Sequence, residues 1–145
     1  MGRRAAREIA MKLIYQMEIQ KDDKEEQLKA VLEENIMPEG DRVYIRDVVE
    51  GVFGNLEHID ILIEKHAKGW KKNRIAKVDL AILRLSIYEM FYRDDIPVTV
   101  SINEAVELAK KFSGEEAGSF VNGILGKISR ISVLPGESTD TQGSG

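Results

Sequence analysis

Residues 75–92 read IAKVDLAILRLSIYEMFY, and this stretch decides the fold. Val78, Leu80, Ala81, Ile82, Leu83, Leu85, Ile87, Met90 and Phe91 place apolar side chains nearly all the way round a helix. A helix with so little polar face belongs at the centre of a packing of other helices. Asp94-Asp95-Ile96-Pro97 ends it, because proline disfavours helical backbone at the residue before it. Arg84 and Glu89 interrupt the apolar surface. Burying either charge alone would be costly, so each is expected to meet another charge or a helix end.

Upstream, residues 4–19 predict a first helix, with Ala6, Ile9, Ala10, Leu13 and Met17 forming one buried stripe. Asp22-Asp23 interrupts it, and a short polar helix over 25–34 follows. After the break at Met37-Pro38-Glu39-Gly40, a long helix is expected from Asp41, its N-cap, with the stripe Ile45, Val48, Val49, Val52, Leu56, Ile59 and Ile63. Gly51 and Gly54 lie inside it, each costing about 1 kcal/mol of helix propensity relative to alanine, which predicts a close helix contact or a bend.

Downstream, Ser101-Ile-Asn-Glu104 and Ser113-Gly-Glu-Glu116 have the form of two capping boxes. They predict helices over 102–112 and 115–131, the second with the stripe Val121, Ile124, Leu125 and Ile128. No segment alternates apolar and polar residues between hairpin turns, so no sheet is expected. The prediction is an all-α protein of two three-helix subdomains packed together. Residues 1–67 form the first, with an arginine-rich start, and 68–131 the second. The tail 132–145, without core residues, is expected to be disordered.

The chain has 145 residues, 43% hydrophobic and 32% charged, a balance that supports a real core. The net charge is -4, but it is segregated. Residues 1–12 carry Arg3, Arg4, Arg7 and Lys12 against Glu8 alone. Residues 65–77 carry Lys65, Lys68, Lys71, Lys72, Arg74 and Lys77 with no acid, whereas 21–41 carry eight acids and three lysines. Concentrated cations let an acidic protein bind nucleic acid. No membrane span and no secretory leader are expected, and the cytoplasm is the expected location.

Groups for catalysis are scarce. There is no cysteine, which excludes a disulfide, a thiolate metal site and a cysteine nucleophile. The two histidines, His58 and His66, are eight apart, not at the four-residue spacing of a helical zinc pair, and read as surface residues. Neither a phosphate-binding loop nor a nucleophile elbow occurs, so no enzyme, metal or cofactor is expected. Arg3, Arg4 and Arg7 are spaced to share one side of the first helix, away from its apolar stripe. Cations at a helix start oppose the macrodipole, and arginine's fork of donors suits phosphate. A phosphate-tracking arginine face is the functional reading; a frayed basic terminus is the plain one. Trp70 reads as filler at the joint between the two halves, and Phe120 as core or as a contact near the free N–H groups of the last helix.

The run WKKNRIAKVDLAILRLSIYEM over 70–90 resembles the central segment of the NusB family. DIPVTVSINEAVELAKKF over 95–112, FVNGIL over 120–125 and the opening RRAAREIA over 3–10 are similar to the family as well. The resemblance covers residues 2–131 and implies an RNA-binding factor of bacterial transcription antitermination. Such a factor holds the boxA element of nascent transcripts, notably of ribosomal RNA operons, together with the ribosomal protein NusE in a complex with RNA polymerase. By position it implies RNA contacts at Arg3, Arg4, Arg7, Glu116, Ser119 and Phe120, and NusE contacts at Tyr15 and Asp79. Two further readings go with it: the helical RNA-binding domain of a ribosomal RNA cytosine methyltransferase, and a homodimeric interaction module.

Overall fold

The computed structural model describes residues 2–67 and 74–131, so Trp70, Lys68, Lys71, Lys72 and the tail expected to be disordered lie outside the described residues. The described residues form seven helices and no strand: α1 (Arg3–Ile19), α2 (Lys24–Glu34), α3 (Glu39–Gly54), α4 (Leu56–His66), α5 (Lys77–Tyr92), α6 (Val98–Phe112) and α7 (Glu115–Ile131).

The apolar α5 is the central element, buried from Asp79 to Phe91. It packs against α1, α3, α4, α6 and α7, and one hydrophobic cluster runs through all of them. Its two embedded charges find the partners their burial demands. Arg84 makes a two-pronged contact with Asp60 of α4, both bonds 2.9 Å, and reaches Glu18 of α1 at 2.9 Å. Glu89, fully buried, accepts from Arg7 of α1, Tyr44 of α3 and Ser101 of α6. Four helices therefore meet at one carboxylate.

Two expectations about helix ends are corrected. The long helix expected from Asp41 is two helices, broken at Asn55. Both the backbone N–H and the side-chain amide of Asn55 donate to the carbonyl of Gly51, at 3.0 and 2.8 Å, which closes α3. Both glycine signals have a use there: Gly51 sits under the ring of Tyr88, and the chain turns after Gly54. The capping boxes do not form. α6 begins at Val98, behind Pro97, which places Ser101 inside the helix with its hydroxyl on Glu89, 2.7 Å away. Ser113 ends α6 and turns its hydroxyl to Asp79 instead of capping α7. In both cases the serine hydroxyl donates to a buried carboxylate of α5, a charge-assisted bond, where a cap would have accepted from a free backbone N–H.

Candidate nucleic-acid interface

The first turn of α1 contains Arg3 and Arg4, with Gly2 as an N-cap that makes no side-chain bond, and no acid. Its three arginines do not form one exposed face. Arg7 is buried at 5% exposure and donates Nε and Nη2 to Glu89 at 2.9 and 3.3 Å. Burial works against its charge, but Tyr44 and the carboxylates of Glu89 and Glu104 outweigh that and raise its pKa. Arg4 is largely solvated and donates to both oxygens of Glu104 on α6, at 3.0 and 2.7 Å. Arg3 lies over the ring of Tyr44, its guanidinium carbon 4.3 Å from the ring centre. The three do share a side, for Arg7 meets Glu104 at 3.7 Å as Arg4 does and the Tyr44 ring at 5.7 Å as Arg3 does, but α1 packs on α3 and α5, so Arg7 is buried while Arg3 and Arg4 stay outside.

From Arg4 the surface continues along α6. Lys111 donates to Glu8 at 2.9 Å, and Lys12 and Lys111 both stand 5.3 Å from the centre of the Phe112 ring. The side-chain bond from Lys111, together with Lys12, holds the Glu8 carboxyl below its ordinary range. From Glu104 to Ser113 the helix rises about 14 Å at 1.5 Å per residue. The chain then turns at Gly114, whose φ of 114° is in the left-handed region that suits glycine, and α7 starts.

Glu116 and Ser119 are exposed on the first turns of α7, and Phe120 is half-buried against the core. A concavity of ≈ 550 Å³ opens here, lined by Arg74, Asp79, Ser113, Glu116 and Phe120 among others. Ser119 and Phe120 also line a neighbouring hollow of ≈ 230 Å³ that reaches Ala67 and Lys127. The residues flanking the undescribed basic segment, Ala67 and Arg74, thus border the two hollows. Asp79 is buried at the first turn of α5 and accepts from Ser113. Tyr15 is half-buried, two turns beyond Arg7 on α1.

The structure brings Asp79, Glu116 and Phe120 together around one hollow and leaves Arg3 and Arg4 at the other end of α6. Lys111 and Tyr44 were missed by sequence reasoning, whereas Lys12 and Arg74 count as members of its basic runs. Lys110-Lys111-Phe112, a basic pair before an aromatic at a helix end, was the available signal for one of them; Tyr44 had none. Among the described residues no group of histidine, aspartate and glutamate side chains is placed to hold a metal, and no helix is long and apolar enough to cross a membrane. His58 meets the hydroxyl of Tyr92 at 3.2 Å, and His66 Nδ1 lies 2.9 Å from the carbonyl of Leu62.

The sequence model of the NusB family matches residues 4–130. This chain belongs to the NusB family. It is 64% identical over 142 residues to the transcription antitermination protein NusB of Acetivibrio thermocellus, covering 98% of each chain. To NusB of Ruminiclostridium cellulolyticum it is 58% identical over 130 residues, 90% of each chain. Among solved structures, NusB of T. maritima matches with a TM-score of 0.83 at 37% identity, over 90% of this chain and 92% of that one. A crystal structure of the antitermination factors NusB and NusE in complex with dsRNA matches with a TM-score of 0.82 at 30% identity, over 90% and 97%. The all-helical NusB fold is therefore that of this chain.

Proposed function

We propose that this NusB chain is a transcription antitermination factor that works by binding, not by catalysis. With NusE as partner it holds the boxA element of nascent RNA, notably ribosomal RNA, in the cytoplasm within a complex with RNA polymerase. The observation that carries this reading is the continuous face from Arg3 and Arg4, past Lys12 and Lys111, to the hollow bordered by Arg74, Glu116 and Phe120. Its two ends are separated by little more than α6, about 21 Å at 1.5 Å per residue. The neighbour whose structure contains NusE and RNA supports both partners.

In this reading Arg3 and Arg4 neutralise phosphates and supply most of the affinity, whereas Ser119 and Phe120 meet unstacked bases at the hollow. Glu116 accepts from a base edge there. Arg7 serves the same surface from inside, as the anchor of α1. Tyr15 and Asp79 lie towards NusE. The test is competition binding of boxA RNA against a scrambled sequence, with NusE present and absent. Preference for boxA that rises when NusE is added is the expected result; equal binding of both RNAs under both conditions refutes it.

A further inference from the structure

Tyr44 is an unusual neighbour for a helix start rich in arginine. It is buried to 1% exposure, and its hydroxyl donates to Glu89. Burial, then the Glu89 charge, pushes the hydroxyl's pKa up, so it stays a donor. Glu89 is in turn fixed by Arg7 and Ser101. The ring is thus held by a network whose every member is inside the protein, while Arg3 lies on its face, and Arg93 stands 5.4 Å from the ring centre. The ring covers one side of the Arg3 guanidinium and leaves its terminal Nη groups free to donate. Nε of Arg3 is buried with no hydrogen-bond partner, 3.9 Å from an Asp41 oxygen, while the side chain as a whole stays 39% exposed. Arg4 differs, since its Nε and Nη2 already donate to Glu104, which leaves Nη1 for a phosphate.

We infer that Tyr44 is a positioning residue for RNA: it holds the Arg3 guanidinium against its ring so that the terminal Nη groups take a backbone phosphate. This rests on the RNA-binding reading above. The restraint matters because a free arginine loses side-chain entropy each time it binds, whereas a stacked one has lost part of it on folding. A lysine at the same place would keep the charge but neither the stacking nor the fork.

The experiment is an anisotropy titration of the full chain with NusE, using a short labelled boxA RNA at several salt concentrations. Arg3→Ala is expected to weaken binding about tenfold and to lower the salt slope by about one. Arg3→Lys is expected to keep the slope yet weaken binding about fivefold. Tyr44→Phe, which keeps the ring, should bind within about twofold of the parent even as it melts lower. In a Tyr44→Leu background the loss on Arg3→Ala should shrink to about twofold, a coupling that a merely structural tyrosine would not produce. Should Tyr44→Leu fail to fold, Arg3→Lys decides alone. Binding by Arg3→Lys equal to the parent overturns the positioning role and leaves the RNA reading standing. No change on Arg3→Ala, while Arg4→Ala and Phe120→Ala still weaken binding, overturns it too; no change in any of these variants overturns the RNA reading itself.

Discussion

Ser113 donates its hydroxyl to Asp79 across 2.9 Å, joining the residue before the Gly114 turn to the first turn of α5. The bond links a residue on the proposed NusE side to the helix start on the proposed RNA side. Ser113→Ala removes it from a partly buried setting and should cost about 1 kcal/mol, read as a lower denaturant midpoint with an unchanged slope. Asp79→Lys is expected to weaken NusE association measured by calorimetry. Asp79→Asn, which keeps an oxygen for Ser113, separates loss of charge from loss of the bond. Undiminished NusE binding by the lysine variant removes Asp79 from that interface.

Arg7 and Arg4 should behave as opposites. Arg7→Ala strands the buried carboxylate of Glu89 and should lower stability by roughly 3–5 kcal/mol. Arg4→Ala takes away a solvated arginine and leaves Glu104 beside Arg7 at 3.7 Å, so its thermal midpoint should stay close to the parent's while RNA affinity drops. Melting curves beside binding isotherms distinguish the two. Equal destabilisation by both variants would contradict the division of the arginines into anchor and contact.

Gly51 and Gly54 make a second contrasting pair. A Cβ on Gly51 would stand 2.1 Å from Cε1 of Tyr88, and the Tyr88 hydroxyl is tied to Asp47 at 2.9 Å, which limits its retreat. Gly51→Ala should therefore destabilise by about 1–3 kcal/mol through overpacking. Gly54 has open space around it in the last turn of α3. Gly54→Ala should stabilise, by up to about 1 kcal/mol. Equilibrium unfolding of the two variants gives the signs directly.

Acidification should unfold the protein through its paired carboxylates. The bond from Lys111 lowers the pKa of Glu8, and the bond from Arg93 lowers that of Asp95. Burial raises that of Glu18, but the bonds and charge of Arg84 prevail and leave it lowered. For such groups the stabilisation is present above the unfolded values, 4.5 for glutamate and 3.8 for aspartate, and disappears as the pH falls through the lower folded values. The thermal midpoint should thus be flat from neutrality to about pH 5 and fall steeply below it. Glu18→Gln should make that fall shallower; an identical pH profile would exclude Glu18 from the effect.

The sequence disclosed what repeats and concealed what meets. Stripes such as Ile45, Val48, Val49 and Val52 have a period, so helices and core were legible. The need of Arg84 and Glu89 for partners was legible too, because the cost of burying a lone charge is independent of where the partner comes from. Which partners they take was not, since Arg7 and Ser101 reach Glu89 from distant parts of the chain. The same blindness misplaced the two serines: Ser101 and Ser113 have the local spacing of helix caps, and only the folded neighbourhood supplies the carboxylates that claim them. Arg7 carried no local sign of burial either, because its position relative to the α1 stripe depends on three helices packing around it. The break at Asn55 fell between these cases, with Gly51 and Gly54 marking the region but not the residue.

The bonds that seat α1 have a temporal side. Arg7 waits for Glu89, 82 residues later, and Arg4 for Glu104, 100 residues later. A ribosome adding about 5–20 residues per second leaves the cationic start without its acidic mates for on the order of ten seconds. During synthesis the arginines emerge into a compartment full of polyanions before the surfaces that orient them exist. Nascent chains stalled before Glu89 should hold nucleic acid without discrimination, and selectivity should appear only once α7, with Ser119 and Phe120, has left the exit tunnel.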